Sequence, residues 1–132
     1  MSGFGKELTE RARKLAVRVI RLSVAMPRNP AGWEIARQVV RSSNSVCANL
    51  EEAQGAITEP DFLNKVNIGR KESRETHMWL RNISDSGLMS DPALTQLIEE
   101  ANAITGILVA SVKTIQRKIG REAKPRHLKE DL

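Results

Sequence analysis

Residues 62–83 read FLNKVNIGRKESRETHMWLRNI, and the apolar and small positions in this stretch recur every three or four residues. The recurring positions are Phe62, Val66, Gly69, Ser73, Thr76, Leu80 and Ile83. This spacing places the whole set on one face of an α-helix, whereas a half-buried β-strand requires a period of two. Because Gly69, Ser73 and Thr76 are small, we expect a neighbouring helix to approach this face closely.

Three other segments show the same rhythm, and prolines and glycines separate the four segments. Their apolar stripes are Leu8, Ala12, Leu15, Val19, Leu22 and Met26 in the first segment, Ala36, Val39, Ser43, Val46, Leu50 and Ala53 in the second, and Leu97, Ala101, Ile104, Leu108, Val112 and Ile115 in the fourth. No proline lies inside a segment, as helices require. Since short connections make consecutive helices antiparallel neighbours, the sequence predicts an all-α, up-down-up-down antiparallel four-helix bundle.

The predicted bundle occupies residues 1–120, with helices at about 5–26, 31–54, 59–84 and 91–119. Thr58 and Asp91 are expected to cap the third and fourth helices, because each is followed closely by a proline and carries a side-chain acceptor for the first turn. Gly120 is expected to end the fourth helix. Residues 121–132 then form a polar tail, which we expect to be disordered.

Composition excludes several classes of protein. The 132 residues include 21 Lys and Arg against 16 Asp and Glu, and 40% are hydrophobic, which is typical of one soluble globular domain. Two Phe and two Trp are the whole aromatic content, too few for an all-β sandwich or an extended nucleic-acid stacking platform. A single cysteine excludes a disulfide framework and a multi-cysteine zinc site. With no signal peptide and no membrane-length apolar run, we expect a cytoplasmic protein with no membrane partner.

Apolar residues outside the core stripes predict a homo-oligomer. On the wheel of the first helix, Val17, Ile20 and Val24 lie about 120° to 180° from Leu8, and one bundle cannot comfortably bury both faces. The predicted subunit interface comprises Val17, Ile20, Val24, Ile68, Glu72, Glu75 and Trp79. Its two carboxylates are expected to pair with arginines of the first helix or of a neighbouring subunit. An irregular bundle that covers the surplus itself is the alternative.

Positive charge is concentrated toward both ends of the sequence. Residues 1–50 carry nine basic and three acidic side chains, residues 51–100 five and ten, and residues 101–132 seven and three. The candidate nucleic-acid-binding residues are Arg11, Lys14, Arg18, Arg21, Arg37, Arg41, Lys113, Arg117 and Lys118. Together they predict a footprint for phosphates, in which contacts add up around an oligomer. An ordinary solvated helix face is the alternative interpretation.

The chain offers no arrangement typical of an enzyme, a metal site or a cofactor site. Cys47 lies on the apolar arc of the second helix, where an inert thiol is expected. His77 follows Glu75 by two positions, which is not the Glu-x-x-His spacing of a di-iron bundle. No glycine-rich phosphate loop occurs. We therefore expect no catalytic residue, no bound metal and no cofactor.

Two stretches resemble a known family. Residues 48–53, ANLEEA, resemble the "ANxxEG" element of four-helix-bundle proteins related to the 23S rRNA intervening-sequence protein. Residues 68–80, IGRKESRETHMWL, resemble that family's third-helix signature, and residues 15–20, LAVRVI, fit its usual opening. The likeness covers about residues 8–118. It departs at Cys47, often proline in the family, at Ala53, often glycine, and at Met78, often aromatic, which affects local packing more than the fold.

The resemblance implies a cytosolic bacterial or phage-type protein that forms a homopentameric ring. Family members are encoded in insertions of 23S rRNA genes, and a related branch is the accessory variability determinant of diversity-generating retroelements, a basic pentamer that binds nucleic acid and a reverse transcriptase. We therefore expect a non-enzymatic, homo-oligomeric accessory protein that binds RNA or DNA without sequence specificity, with a reverse transcriptase as a further partner. A structural or protein-interaction scaffold is the alternative.

Overall fold

The computed structural model describes residues 3–124, with side chains from Gly5 onward. It consists of four helices, α1 Gly3–Val24, α2 Pro30–Gln54, α3 Glu59–Asp85 and α4 Pro92–Ala123. Each helix packs on the next and α4 returns to α1, with the α1–α4 seam the least extensive of the four. The predicted all-α, up-down-up-down bundle is therefore confirmed.

Side-chain caps start three of the helices. Thr58 and Asp91 accept hydrogen bonds from the amides of Asp61 (3.2 Å) and Ala93 (2.8 Å), as predicted. Asn29, which was not predicted, accepts one from the amide of Gly32 (2.8 Å) and caps α2. A proline follows each cap within two positions, where its missing N–H leaves no hydrogen bond unmade.

Two helix ends differ from the prediction. α1 ends at Val24 rather than at residue 26, because the last turn tightens: the amides of Ala25 and Met26 bond to carbonyls three residues back. α4 runs through Gly120 to Ala123, so the predicted stop at Gly120 is wrong. Lys124 has extended geometry (φ −74°, ψ 148°), which the following proline in the sequence favours. The predicted tail at residues 125–132 lies outside the described residues.

We expect Gly120→Ala to raise the free energy of unfolding by about 0.5–1 kcal/mol, since a glycine within a helix is less favourable than alanine by that amount. A Cβ built at Gly120 meets no atom within 4 Å, so no clash opposes the gain. Urea unfolding measures the change, with Gly106→Ala as the matched case at another open position of α4. A loss of stability in Gly120→Ala would show a helix end at this glycine.

The core follows the predicted stripes. All of the stripe residues are buried except Ala36, Phe62 and Ile115, which are half-buried near helix ends. Close approach at the small residues of α3 is confirmed, because a Cβ on Gly69 would lie 3.4 Å from Leu50 Cδ2. The buried hydroxyls satisfy one another, with Oγ–Oγ distances of 2.8 Å for Thr76–Ser42 and 2.7 Å for Ser73–Thr105.

Candidate nucleic-acid interface

Arg11, the first of the predicted phosphate contacts, joins α1 to α4 through a carboxylate. Its Nε and Nη2 donate to the two carboxylate oxygens of Glu100 at 2.9 and 2.7 Å. This two-point contact lowers the pKa of Glu100, although partial burial of the carboxyl opposes the shift. The pair lies in the least extensive seam of the bundle, so its role is to join the first and last helices.

Arg41 is likewise engaged, by the two glutamates of the predicted subunit interface. Its Nη1 lies 3.1 Å from Glu72 and its Nη2 2.6 Å from Glu75. The pKa of Glu75 is lowered, chiefly by Arg41, whereas burial and then Glu75 raise the pKa of Glu72. The expectation that these carboxylates pair with the first helix is therefore wrong, because α2 supplies their partner. The indole Nε1 of Trp79 is buried without a hydrogen-bond partner among residues 3–124.

A third predicted phosphate contact, Lys118, pairs with Glu59 at 2.6 Å across α3 and α4. The other six predicted contacts make no ion pair within residues 3–124: Lys14, Arg18, Arg21, Arg37, Lys113 and Arg117. Arg18 Nη2 donates to Gln96 at 3.1 Å and stays partly exposed. Cations without a carboxylate partner are the ones that can release counterions on binding a phosphate.

These six cations form two patches rather than one. The first follows α1 and continues at Arg37 on α2, and the second lies near the end of α4. Arg18 contacts Gln96, and Arg117 is 21 positions further along α4, which separates the patches by about 32 Å at 1.5 Å per residue. One subunit therefore has a group of cations without ion pairs among residues 3–124 toward each end of the bundle.

The residues of the predicted subunit interface differ in exposure between α1 and α3, and Trp33 on α2, which was not among them, is exposed like those on α1. Ile20 and Val24 on α1 are 42% and 82% exposed, and the indole of Trp33 at the start of α2 is 59% exposed. We call these three residues the α1/α2 strip. On α3, by contrast, Ile68 and Trp79 are half-buried, and each is four residues from a glutamate that pairs with Arg41. Val17 is also half-buried.

Sequence reasoning missed Arg28 and the exposure of Trp33. Arg28 is an exposed cation in the turn between α1 and α2, with no ion pair within residues 3–124. The spacing placed Trp33 in a wide apolar arc of α2, and a wide arc does not tell which of its edges stays uncovered. The signal that could have identified Arg28 is its positive charge in a turn that follows the basic residues of α1.

Cys47 and His77 are the side chains to consider for catalysis or metal binding. Burial raises the pKa of the Cys47 thiol, and Glu51 adds to the shift, which suits an inert thiol. Desolvation and Arg81 lower the pKa of His77. No group of three or more metal-ligating side chains occurs between residues 3 and 124. None of the helices within that range has the length and apolarity that crossing a bilayer requires.

An apolar groove of about 550 Å³ opens where α1 begins. Phe62, Ile107 and Ile115 form its walls, and the Glu59–Lys118 ion pair lies at its edge. Because that charge is already neutralised, the groove offers apolar surface and no free cation of its own. It therefore does not extend either patch of cations.

Comparison with known proteins places this bundle among related chains. The family model of the 23S rRNA-intervening sequence protein matches residues 6–110. A crystal structure from Bacteroides thetaiotaomicron, described as a protein with unknown function from the S23 ribosomal protein family, is 26% identical with a TM-score of 0.74. The match covers 83% of this chain and 97% of that one. No curated protein matches the chain.

Proposed function

We propose that this chain, which belongs to the 23S rRNA-intervening sequence protein family, is a cytoplasmic, non-enzymatic, homo-oligomeric accessory protein that binds nucleic acid without reading base edges. The carrying observation is the row of Lys14, Arg18 and Arg21 on α1, which has no carboxylate partner within residues 3–124. Arg37 on α2, and Lys113 and Arg117 on α4, extend the proposed contacts. Such cations bind phosphates and carry no sequence information.

Self-association would multiply these contacts. Six cations without an ion pair among residues 3–124 make a modest site, whereas two or more subunits on one strand add their contacts at a high effective concentration. We propose Ile68 and Trp79 as part of the contact between copies, because both are half-buried in one subunit and lie beside charges that are already paired. Light scattering measures the mass of the assembly, and a pentamer would have five times the 14.7 kDa mass of one chain.

The test of nucleic-acid binding uses charge reversal on α1. Fluorescence anisotropy with labelled structured RNA and duplex DNA, at about 50 and 200 mM salt, should show a loss of roughly 10³-fold for the parent if about six phosphates are contacted. We expect the triple variant Lys14→Glu, Arg18→Glu and Arg21→Glu to bind at least about tenfold more weakly at the lower salt. Its salt slope should also fall by about 2 to 3, because each lost phosphate contact removes nearly one unit.

A matched variant separates this patch from net charge. Lys65→Glu, Lys71→Glu and Arg74→Glu on α3 change the total charge equally on a surface outside both patches. We expect this control to keep the parent's salt slope. Equal losses in both triple variants would reject the α1 site in favour of a diffuse field. Absence of binding by the parent at the lower salt would reject the proposal, and the protein-interaction scaffold would replace it.

A further inference from the structure

The three exposed apolar side chains of the α1/α2 strip lie at one end of the bundle. A turn of five residues joins Val24, the last residue of α1, to Pro30, the first of α2, so these helix ends are side by side. Ile20 and Val24 are four residues apart and share one face of α1. Trp33 lies in the first turn of α2, with 59% of its surface exposed.

Cations border this strip on both sides. Arg21 lies toward α4, about 60° to 100° around the wheel of α1 from Val24 and Ile20. It lines a cleft with Arg18, Asp91 and Leu97. On the other side, Arg28 lies in the connecting turn and Arg37 follows Trp33 by four residues, which places it on the same face of α2. None of these arginines makes an ion pair within the part of the chain that the structure describes.

We propose that the α1/α2 strip binds an unpaired nucleobase stacked on Trp33 while the flanking arginines hold the neighbouring phosphates. This inference rests on the proposed function and narrows it to single-stranded RNA or DNA. An aromatic ring beside a positively charged track is the arrangement by which proteins bind single strands without sequence preference. One exposed indole supplies one stacking position, which fits a chain with so few aromatic residues.

Charge argues against a contact between the strips of two copies of the chain. Two strips related by a two-fold axis would bring arginines against arginines, which is unfavourable without an intervening anion. Ile57, in the turn between α2 and α3, is the only other large apolar side chain among the described residues that is mainly exposed. The apolar groove beside Ile115 has no free carboxylate to meet these arginines, since Glu59 is paired with Lys118. A polyanion with apolar faces fits better.

The test compares Trp33→Ala with Trp33→Phe and with the matched control Ile57→Ala, another exposed apolar residue at a distant turn. Probes are labelled twelve-nucleotide oligo-U, oligo-dT and a mixed-sequence duplex of the same length, each at about 50 and 200 mM salt. We expect Trp33→Ala to weaken single-strand binding by about tenfold with an unchanged salt slope, because stacking releases no counterions. Trp33→Phe should recover most of the loss, and Ile57→Ala should show none.

Fluorescence supplies an independent readout. The emission that the parent shows beyond Trp33→Ala belongs to Trp33, because the chain has two tryptophans. Stacking by a base should quench this difference on single strands but not on the duplex. Equal losses on duplex and single strands, or no loss in Trp33→Ala, would overturn the inference while leaving nucleic-acid binding intact. A lower mass of Trp33→Ala in light scattering, with unchanged affinity, would instead assign the strip to a second copy. A parent that binds no probe rejects the proposed function itself.

Discussion

Gly32→Ala should lower the free energy of unfolding by about 3–5 kcal/mol, near the upper end of what single substitutions do. Gly32 is buried in the first turn of α2, where the chain between the helices folds back over it. A Cβ at this position would overlap the carbonyl oxygen of Pro27 and lie 2.9 Å from its carbonyl carbon. Both are backbone atoms, so no side-chain rotation relieves the overlap, and the turn or the helix start has to move.

The measurement is urea unfolding at neutral pH, with Gly5→Ala as a matched helical glycine. A Cβ on Gly5 meets its nearest neighbour, Gln54 Cγ, at 3.7 Å, which is ordinary contact. We expect the free energy of unfolding of Gly5→Ala to lie within about 1 kcal/mol of the parent's value. A similarly small change in Gly32→Ala would mean that Pro27 does not lie against this turn.

The same close approach positions the candidate site. Gly32 precedes Trp33, and Pro27 precedes Arg28, so the close approach of the two backbones fixes the points from which both side chains of the proposed single-strand site extend. Asn29 adds to this rigidity, because its side-chain oxygen accepts a hydrogen bond from the amide of Gly32. A stacking surface is useful only if ordering it on binding costs little conformational entropy. The tight turn therefore connects stability with the proposed function.

Local periodicity explains why the fold could be predicted from the sequence. A three-or-four spacing determines which side of a helix is buried regardless of what it packs against, and this was enough to place the core of all four helices. The helix starts at Thr58 and Asp91 could be predicted from equally local signals, because each capping residue and its proline lie within three positions. The error at Gly120 has a local cause too: an exposed glycine weakens a helix without ending it, and the proline at position 125 is the stronger signal.

The partners of the charged residues could not be predicted in the same way. Whether Arg41 meets a phosphate or Glu72 and Glu75 depends on the register between α2 and α3, which no pattern within either helix contains. Arg11 and Lys118 present the same case across other helix pairs. Three of the nine predicted phosphate contacts thus pair with carboxylates of other helices, and only the register between helices determines this. The need for glycine at position 32 could not be predicted either, because the overlap of a Cβ there with the Pro27 carbonyl depends on the path of the preceding turn.

Arg41→Met should destabilise the protein by about 1–2 kcal/mol at pH 7, and this loss should shrink as the two glutamates become protonated at lower pH. Removal of Arg41 leaves Glu72 and Glu75 adjacent, half-buried and both charged. Glu75 has a lowered pKa in the parent, so its stabilisation is present above the unfolded-state value and is lost as pH falls. Glu72 has a raised pKa, so its charged form destabilises the fold at neutral pH and protonation relieves this. Because Arg41 is partly exposed, the expected loss of stability is smaller than it would be for a fully buried pair.

Arg37→Met provides the matched control, because Arg37 lies one turn earlier on α2 and makes no ion pair within residues 3–124. Unfolding in urea at pH 7, 5.5 and 4 should show a change below about 0.5 kcal/mol for this variant at every pH. Glu72→Gln added to Arg41→Met should restore part of the stability at pH 7, since it removes the like charge beside Glu75. A pH-independent loss in Arg41→Met would assign Arg41 a packing role through its aliphatic stem. The two variants also test the binding proposal, since Arg37→Met should weaken nucleic-acid binding whereas Arg41→Met should affect stability first.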